Sequence, residues 1–475
     1  MTDKNFFIDQ HGCAKNQTDG EIISGFLERE GFCQVFDADK ADFILINSCG
    51  FIQSAKKESI NAIYQVKSAY PDAKIILTGC LAERYADELF ESMPELDGVF
   101  GNGNLSKIAD FMKKVAGGKR SVEIFPQCGV STGRRQKLMN FKGAAFVKIT
   151  EGCSNHCSFC AIPLIRGELR SRPVDSIISE IKELTAGGVY EINLIGQDLA
   201  AYGTGEDDKE LRASLNPLLS PLSQLLEKIS QIEGDFIVRL LYIHPDHFNP
   251  DILKVMKKDS RFLHYFDIPF QSGDDATILA MNRTGSKKSY ISLVEKIRQE
   301  LPDCMLRTTF LTGFPGESGE AAENTKDFLK TIQPDWSGCF PYSREEDTPA
   351  YSMKGRVPAK LSKARADALV QLQTEITNDR LSRFTGQTVN VLVEEVIESE
   401  EDDGLAIGRA WFQAPEVDGS VVIRYDNDDL SQKNAVKAGN VVKARILAST
   451  GVDLDARFES LVKAFPDKSD ITFIS

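Results

Sequence analysis

The segment Glu151-Gly152-Cys153-Ser154-Asn155-His156-Cys157-Ser158-Phe159-Cys160 sets three thiols in a C-x3-C-x2-C spacing. Cysteine thiolates hold iron–sulfur clusters, and a four-iron cluster held by only three of them leaves one iron free to bind something else. An open iron of this kind can take the amino and carboxylate groups of S-adenosylmethionine and pass it an electron, cleaving the sulfonium to a carbon radical. The competing chemistry is a structural zinc site with His156 as fourth ligand. Structural zinc usually draws ligand pairs from separate knuckles, which one loop at the end of a strand does not offer. His156 therefore reads as a loop residue near the cluster.

Three further thiols lie dozens of residues apart, in Gly12-Cys13, Ser48-Cys49-Gly50 and Gly79-Cys80. Only the fold around them could bring them together. Asn5 to Asp9, Asp42 to Asn47, Lys74 to Thr78 and Gly98 to Phe100 read as strands, with helical periodicity in Gly20 to Glu30, Gln53 to Ala69 and Ala82 to Ser92. This alternation predicts an α/β fold with a doubly wound parallel sheet. Cys13, Cys49 and Cys80 then each follow the carboxyl end of a strand, and in an open parallel sheet those ends line one crevice. The alternative for this trio is plain burial of three apolar thiols. Cys33, Cys128, Cys304 and Cys339 have no such context and read as buried or incidentally exposed.

A second alternation begins at Ala145. Its strand candidates are Ala145 to Thr150, Glu191 to Ile195, Phe236 to Tyr242, Tyr265 to Ile268, Met305 to Leu311 and Gly338 to Tyr342, with helices such as Pro173 to Ala186, Pro221 to Gln231 and Lys287 to Leu301 between them. That is the pattern of a full or partial β/α barrel, whose chemistry belongs at the strands' carboxyl ends. Between the two units, Lys113 to Lys137 carries seven Lys or Arg against one Glu and is punctuated by Gly117-Gly118, Pro126 and Gly133, so it reads as a basic interdomain linker. A long helix from about Lys360 to Phe384 leads into short β-rich runs, Thr388 to Val396, Val421 to Tyr425 and Val441 to Leu447, which predict a small β-barrel.

The 475-residue length suggests about three domains. A composition of 42% hydrophobic and 27% charged residues excludes disordered and fibrous classes. No apolar run approaches a membrane span, and Met1-Thr2-Asp3-Lys4 lacks the flank of a signal peptide, so a cytoplasmic protein is expected. In that reducing compartment ten cysteines do not imply a disulfide framework. The net charge of −14 argues against general DNA binding. Gly386 to Ser475 holds nine basic and seventeen acidic residues, a net of −8, which suits a basic protein partner better than RNA phosphates.

The cysteine loop, followed by Ala161-Ile162-Pro163 and then by Arg166-Gly167-Glu168-Leu169-Arg170-Ser171-Arg172-Pro173, closely resembles the radical SAM methylthiotransferases. The resemblance covers essentially the whole chain. It implies an N-terminal methylthiotransferase domain over residues 1–112, a linker over 113–138, a radical SAM core over 139–384 and a TRAM-type β-barrel over 385–475. It implies two [4Fe-4S] clusters, one on Cys153, Cys157 and Cys160, the other on Cys49, Cys80 and Cys13 within Gly12-Cys13-Ala14-Lys15-Asn16. The strand ending in Gly196-Gln197-Asp198 looks like the one that approaches the methionine part of the cofactor, which makes Gln197 and Asp198 candidate contacts. Arg307 with Thr309, and the turn Gly313-Phe314-Pro315-Gly316-Glu317, match segments lining the barrel, so Arg307 is a third candidate. His244, His247 and His264 read as solvated or hydrogen-bonded rather than as metal ligands.

Members of this family modify either an adenosine beside the anticodon of transfer RNA or an aspartate of a small-subunit ribosomal protein. Gly408-Arg409-Ala410-Trp411-Phe412-Gln413-Ala414-Pro415-Glu416-Val417-Asp418-Gly419 resembles the Ala-Pro-(acidic)-x-Asp-Gly signature of the second branch, as does Arg239-Leu240-Leu241-Tyr242-Ile243-His244-Pro245. Gln271-Ser272-Gly273 is closer to the first, which keeps isopentenyl-adenosine in tRNA as the alternative substrate. The resemblance thus implies methylthiolation of the β-carbon of an aspartate in ribosomal protein S-twelve. S-adenosylmethionine would serve twice, as methyl donor to sulfur held at the N-terminal cluster and, at the open iron, as source of the 5′-deoxyadenosyl radical. The chemistry calls for two clusters facing each other across a domain interface and for an external low-potential electron donor. Two readings from other classes remain: a metal scaffold without catalysis, and a nicotinamide oxidoreductase. The latter fails because no Gly-x-Gly-x-x-Gly follows the first strand.

Overall fold

The protein is described by a computed structural model over residues 4–135, 137–397, 403–466, 469 and 471–473. Met1 to Asp3, part of the leader reading, lie outside the described residues, as do several of the C-terminal acids counted above.

The runs Phe43–Ser48 and Lys74–Thr78 are buried almost throughout, as parallel strands covered on both faces must be. They form the middle of a six-stranded parallel sheet in the spatial order Cys33–Gln34, Asn5–Gln10, Phe43–Ser48, Lys74–Thr78, Gly98–Phe100, Ser121–Glu123. Apolar cores lie on both faces, one under the helices Ala14–Arg29 and Ile108–Ala116, the other under Gln53–Ala69 and Gly79–Ser92. The doubly wound reading is correct, with two strands more than the sequence revealed; both are too short to display a period.

Two boundaries move. Ser121–Glu123 pairs with Gly98–Phe100, and residue 112 falls inside the helix Ile108–Ala116, so the first unit runs through Glu123. The first helix starts at Ala14 rather than Gly20. Its opening turns, Lys15-Asn16-Gln17-Thr18-Asp19, are polar and carry no apolar stripe, yet all five are buried: Asn16 and Asp19 meet Arg166 and Lys148 of the second domain, and Lys15 lies on the Tyr242 ring.

The second unit is an open arc of six parallel strands in sequential order, Ala144–Lys148, Glu191–Ile195, Ile237–Leu240, Phe262–Asp267, Met305–Thr312 and Trp336–Pro341. It is therefore a partial barrel, enclosing a continuous apolar core with its outer helices. The helix Ala359–Ser382 leads to a closed five-stranded barrel ordered Thr388–Ile397, Asp403–Ala410, Val421–Asp426, Asp453–Lys463, Val441–Thr450. Two of its strands escaped the sequence reading: Asp403–Ala410 carries two glycines, and Asp453–Lys463 leaves much of its length exposed. The basic linker is consumed by the fold. Lys113 pairs with Glu30, Lys114 with Glu123, Arg134 with Glu183, Arg135 with Glu21 and Glu180, and Lys137 with Glu28. Among the described residues no helix is long and apolar enough to cross a membrane.

Candidate paired thiol site

Each N-terminal cysteine stands where a strand hands over to a helix. Cys13 occupies the cap position of Ala14–Arg29 without capping it through its side chain, Cys49 follows Phe43–Ser48, and Cys80 lies in the first turn of Gly79–Ser92. The first amides of two helices are thus free to face negative charge at this crevice. Glycines permit the approach: a Cβ on Gly12 would meet Cys49 Cβ at 3.2 Å, and one on Gly50 the Cys80 carbonyl at 2.7 Å. Asn16 holds the group from below, its Nδ2 donating to Ser48 O at 2.6 Å while its Oδ1 accepts from Cys80 Sγ at 3.1 Å. Burial, with Cys80 and Cys13 close by, pushes the Cys49 thiol up to about 12, and burial also raises Cys80 against the pull of Arg166. Cys49 and Cys80 ionise together only around a bound cation.

The barrel trio is fixed by its own loop. Gly152 turns with φ +75°, where a Cβ would lie 2.1 Å from Glu168 O. Cys153 N–H donates to Gly167 O at 3.0 Å, Cys160 N–H to Cys157 O at 2.9 Å, and Ser158 Oγ to Ala280 O at 2.8 Å. Burial pushes Cys153 up to about 12 and raises Cys160. His244 Nε2 lies 3.8 Å from Cys157 Sγ. His156 is half-exposed with its Nε2 3.6 Å from Glu168, so it offers the trio no fourth ligand.

The donor spacing tests which metal group fits. Zinc bonds to sulfur of about 2.3 Å would hold tetrahedral sulfurs about 3.8 Å apart. Among the described residues the one group of three His, Cys or acidic side chains with ligand atoms within 4.8 Å is Asp198, His244 and His247. Neither thiol trio is drawn to single-ion spacing; a multi-iron cluster fits both. The Asp198 group is already satisfied by hydrogen bonds. Asp198 Oδ1 accepts from the N–H of Ala200 and of His244, and Oδ2 accepts from Asn155 Nδ2 at 3.0 Å and pairs with His247 Nδ1 at 2.8 Å. Beside the loop a cleft of about 600 Å³ opens between Cys153, His156, Glu168, Asp198 and His247.

The two domains meet beside the trios through Arg166. From the barrel domain its Nη2 donates to Asn16 Oδ1 at 2.6 Å and reaches Cys80 Sγ at 3.3 Å, while its Nη1 pairs with Glu151 at 2.6 Å and Asp19 at 2.9 Å. Lys148 pairs with the same two acids, Asp19 at 2.6 Å. Ala161 and Ile165, just past Cys160, pack on Cys80 and Phe51. On the other flank Lys15 lies over the Tyr242 ring, 3.0 Å from its centroid, and burial pushes its ammonium down to about 8.

Of the candidate cofactor contacts, Gln197 belongs to this network, its Nε2 donating to Glu151 Oε1 at 3.3 Å while its buried Oε1 has no partner. Asp198 is instead a clamp between the cysteine loop and the His244–His247 turn. Arg307 is paired with Asp267 at 3.1 Å and with Asp418 at 3.4 Å. The last contact belongs to the Gly408–Gly419 segment, which docks on the barrel strands: Asp418 Oδ2 accepts from Tyr265 OH at 2.6 Å, and Arg409 pairs with Glu191 at 2.8 Å. Sequence reasoning did not single out Lys15, Asp19, Lys148, Glu151 or Arg166. For Lys15 and Asp19 the signal was there as a run of polar residues opening an otherwise amphipathic helix.

Three family models match the chain: an uncharacterized protein family, UPF0004, over residues 5–101, the radical SAM superfamily over 147–329 and the TRAM domain over 385–458. The chain is 52% identical over 464 residues to the ribosomal protein uS12 methylthiotransferase RimO of Treponema denticola, covering 94% of this chain and 99% of that one. The RimO of Bdellovibrio bacteriovorus is 37% identical, covering 93% and 95%, and that of Thermosipho africanus 38%, covering 88% and 93%. Among solved structures, the radical S-adenosylmethionine methyltransferase TsrM of Kitasatospora setae, with tryptophan and a SAM analogue bound, aligns with a TM-score of 0.55 at 14% identity over 73% of this chain and 75% of that one. At that identity the likeness is one of fold.

Proposed function

This chain belongs to the uS12 methylthiotransferase family of radical SAM enzymes, and on that premise we propose that it attaches a methylthio group to the β-carbon of an aspartate in the small-subunit ribosomal protein uS12. Cys153, Cys157 and Cys160 hold one [4Fe-4S] cluster, and Cys13, Cys49 and Cys80 hold a second. When bound, the first supplies one-electron reduction of S-adenosylmethionine at its open iron, and the second supplies the site that carries sulfur for transfer. The single observation behind this reading is the contact across the domain interface beside the trios: Arg166, six residues past Cys160, hydrogen-bonds Cys80 of the other domain.

The chain's own residues bind, orient and exclude water. Arg166 and Lys148, against Asp19 and Glu151, lock the two domains at a fixed spacing, so that substrate meets both centres without a further diffusive step. Gln197 offers a buried acceptor to the cofactor, and the Asp198 clamp keeps the cysteine loop in place. The acidic C-terminal barrel, and a linker in which five of the seven bases are spent in ion pairs, favour a basic protein over tRNA. The reaction takes place in the cytoplasm and draws on a low-potential electron donor.

The test is anaerobic reconstitution with iron, sulfide, reductant, S-adenosylmethionine and purified uS12, read by mass spectrometry. One methylthio group on a single aspartate is expected. Modification of tRNA instead, or cleavage of S-adenosylmethionine without transfer to uS12, would contradict the reading.

A further inference from the structure

Lys15 is 8% exposed, yet its ammonium makes no hydrogen bond and no ion pair among the described residues. The cations around it are each matched: Lys148 and Arg166 by Asp19 and Glu151, Arg307 by Asp267 and Asp418. Of the acidic groups whose field Lys15 feels, Cys13 comes first and belongs to the N-terminal trio, and Asp267 is engaged by Arg307 at 3.1 Å and by the Tyr242 N–H at 3.1 Å. What Lys15 has is the face of Tyr242, and a cation–π contact offsets only part of the cost of a desolvated charge.

The location is as informative as the missing partner. Lys15 stands two residues from Cys13, and Tyr242 two residues from His244, which touches Cys157. Tyr242 is held at φ +67°, a left-handed conformation costly for an aromatic residue, and that strain presents its ring to the lysine. The unmatched charge therefore occupies the span between the two trios, where the acceptor of the sulfur has to lie.

We propose that Lys15 determines substrate specificity by pairing its ammonium with the side-chain carboxylate of the target aspartate, which fixes the β-carbon between the two thiol trios. The proposal rests on the uS12 reading above. It also supplies discrimination by desolvation: a neutral adenine would leave the ammonium buried and unmatched.

The probe is purified uS12. Mass spectrometry of the wild-type reaction locates the modified aspartate, and uS12 with that aspartate replaced by asparagine serves as second ligand. Affinities for both are measured by fluorescence anisotropy with reconstituted wild type, Lys15→Met and Lys15→Arg, alongside iron content. Wild type is expected to prefer the aspartate form at least tenfold, Lys15→Met to bind both forms equally with its iron intact, and Lys15→Arg to keep part of the preference. If Lys15→Met cannot hold its iron, Lys15→Gln, which keeps length and polarity, takes its place. A Lys15 variant that keeps the full preference, with or without loss of iron, assigns the lysine to the cluster or the fold and overturns the proposal alone. A wild-type enzyme that leaves uS12 unmodified overturns the parent reading together with it.

Discussion

The two thiol trios reach similar ends by opposite means. Cys153, Cys157 and Cys160 share one loop, pinned by Gly167, Met281 and Ala280 in their immediate surroundings. Cys13, Cys49 and Cys80 come from three strand ends and meet only because the parallel sheet is in register, with Ser48 bridged to Gly79. The first site is a property of a short peptide on a strand; the second is a property of a domain. The difference teaches where each is vulnerable, the loop to local backbone change and the crevice to anything that shifts sheet or interface.

The strongest way to break the comparison is at the domain interface beside the trios. Arg166→Met leaves Asp19 and Glu151 buried with Lys148 alone, and removing one partner from such a network costs about 3–5 kcal/mol. The denaturation midpoint is expected to fall accordingly, and methylthio transfer to fall more than 5′-deoxyadenosine formation; an unchanged midpoint would show that the interface does not depend on this guanidinium.

Next come two glycines that separate the trios. Gly79 holds φ +87°, where a Cβ would meet Ser48 O at 2.6 Å, and Gly152 holds φ +75° against Glu168 O at 2.1 Å. Each substitution by alanine is expected to cost about 1–3 kcal/mol in strain. Gly79→Ala should lose iron from the N-terminal crevice while 5′-deoxyadenosine still forms, and Gly152→Ala should do the reverse. Loss of the same iron in both variants would mean the sites are not independent.

Smaller still is Asp198→Asn, which weakens the tether between Asn155 and His247. It should cost about 1–2 kcal/mol by removing charge-assisted hydrogen bonds, seen as faster loss of iron to a chelator from the barrel site alone.

The smallest effect is a pH dependence. Burial opposes the Asp198 charge, but the His247 hydrogen bond and His244 hold its carboxyl below the ordinary 3.8, while the Asp198 hydrogen bond raises His247 above 6.5. The carboxylate adds stability above pH 3.8 that is lost as pH falls through its lower folded value. The imidazolium adds stability below pH 6.5 that is lost as pH rises through its higher folded value. The melting-temperature difference between wild type and His247→Gln should therefore be largest between pH 3.8 and 6.5. The corresponding difference in stability should stay below about 1 kcal/mol, because the half-exposed ring is screened by solvent. A difference independent of pH would remove the ion pair from the account.

The same contrast explains what was legible in the sequence. The loop trio is a contiguous pattern and needs no fold to be read. The crevice trio became legible once the strands were placed, because Phe43–Ser48 and Lys74–Thr78 are apolar runs with sharp ends. Asp19 is hidden because burial by ion pairing leaves no apolar period, and Lys15 because it is buried against the Tyr242 ring, so their helix reads from Gly20; Arg166 ends the separate five-residue helix Ile162–Arg166, too short to show a period. The linker's charges misled in the same way: a basic stretch reads as a surface until its acids, Glu21, Glu28, Glu30 and Glu180, are seen folded against it. Strands of two and three residues, Cys33–Gln34 and Ser121–Glu123, are fixed by their neighbours and carry no pattern of their own.

The central claim is that the chain carries two separate clusters, one per trio. Iron and sulfide counted after anaerobic reconstitution test it most directly, in wild type, in Cys153→Ala/Cys157→Ala/Cys160→Ala and in Cys13→Ala/Cys49→Ala/Cys80→Ala. About eight irons should fall to about four in either triple variant, with 5′-deoxyadenosine formation lost only in the first. About four irons in the wild type, or an N-terminal triple variant that keeps the wild-type count, would contradict it.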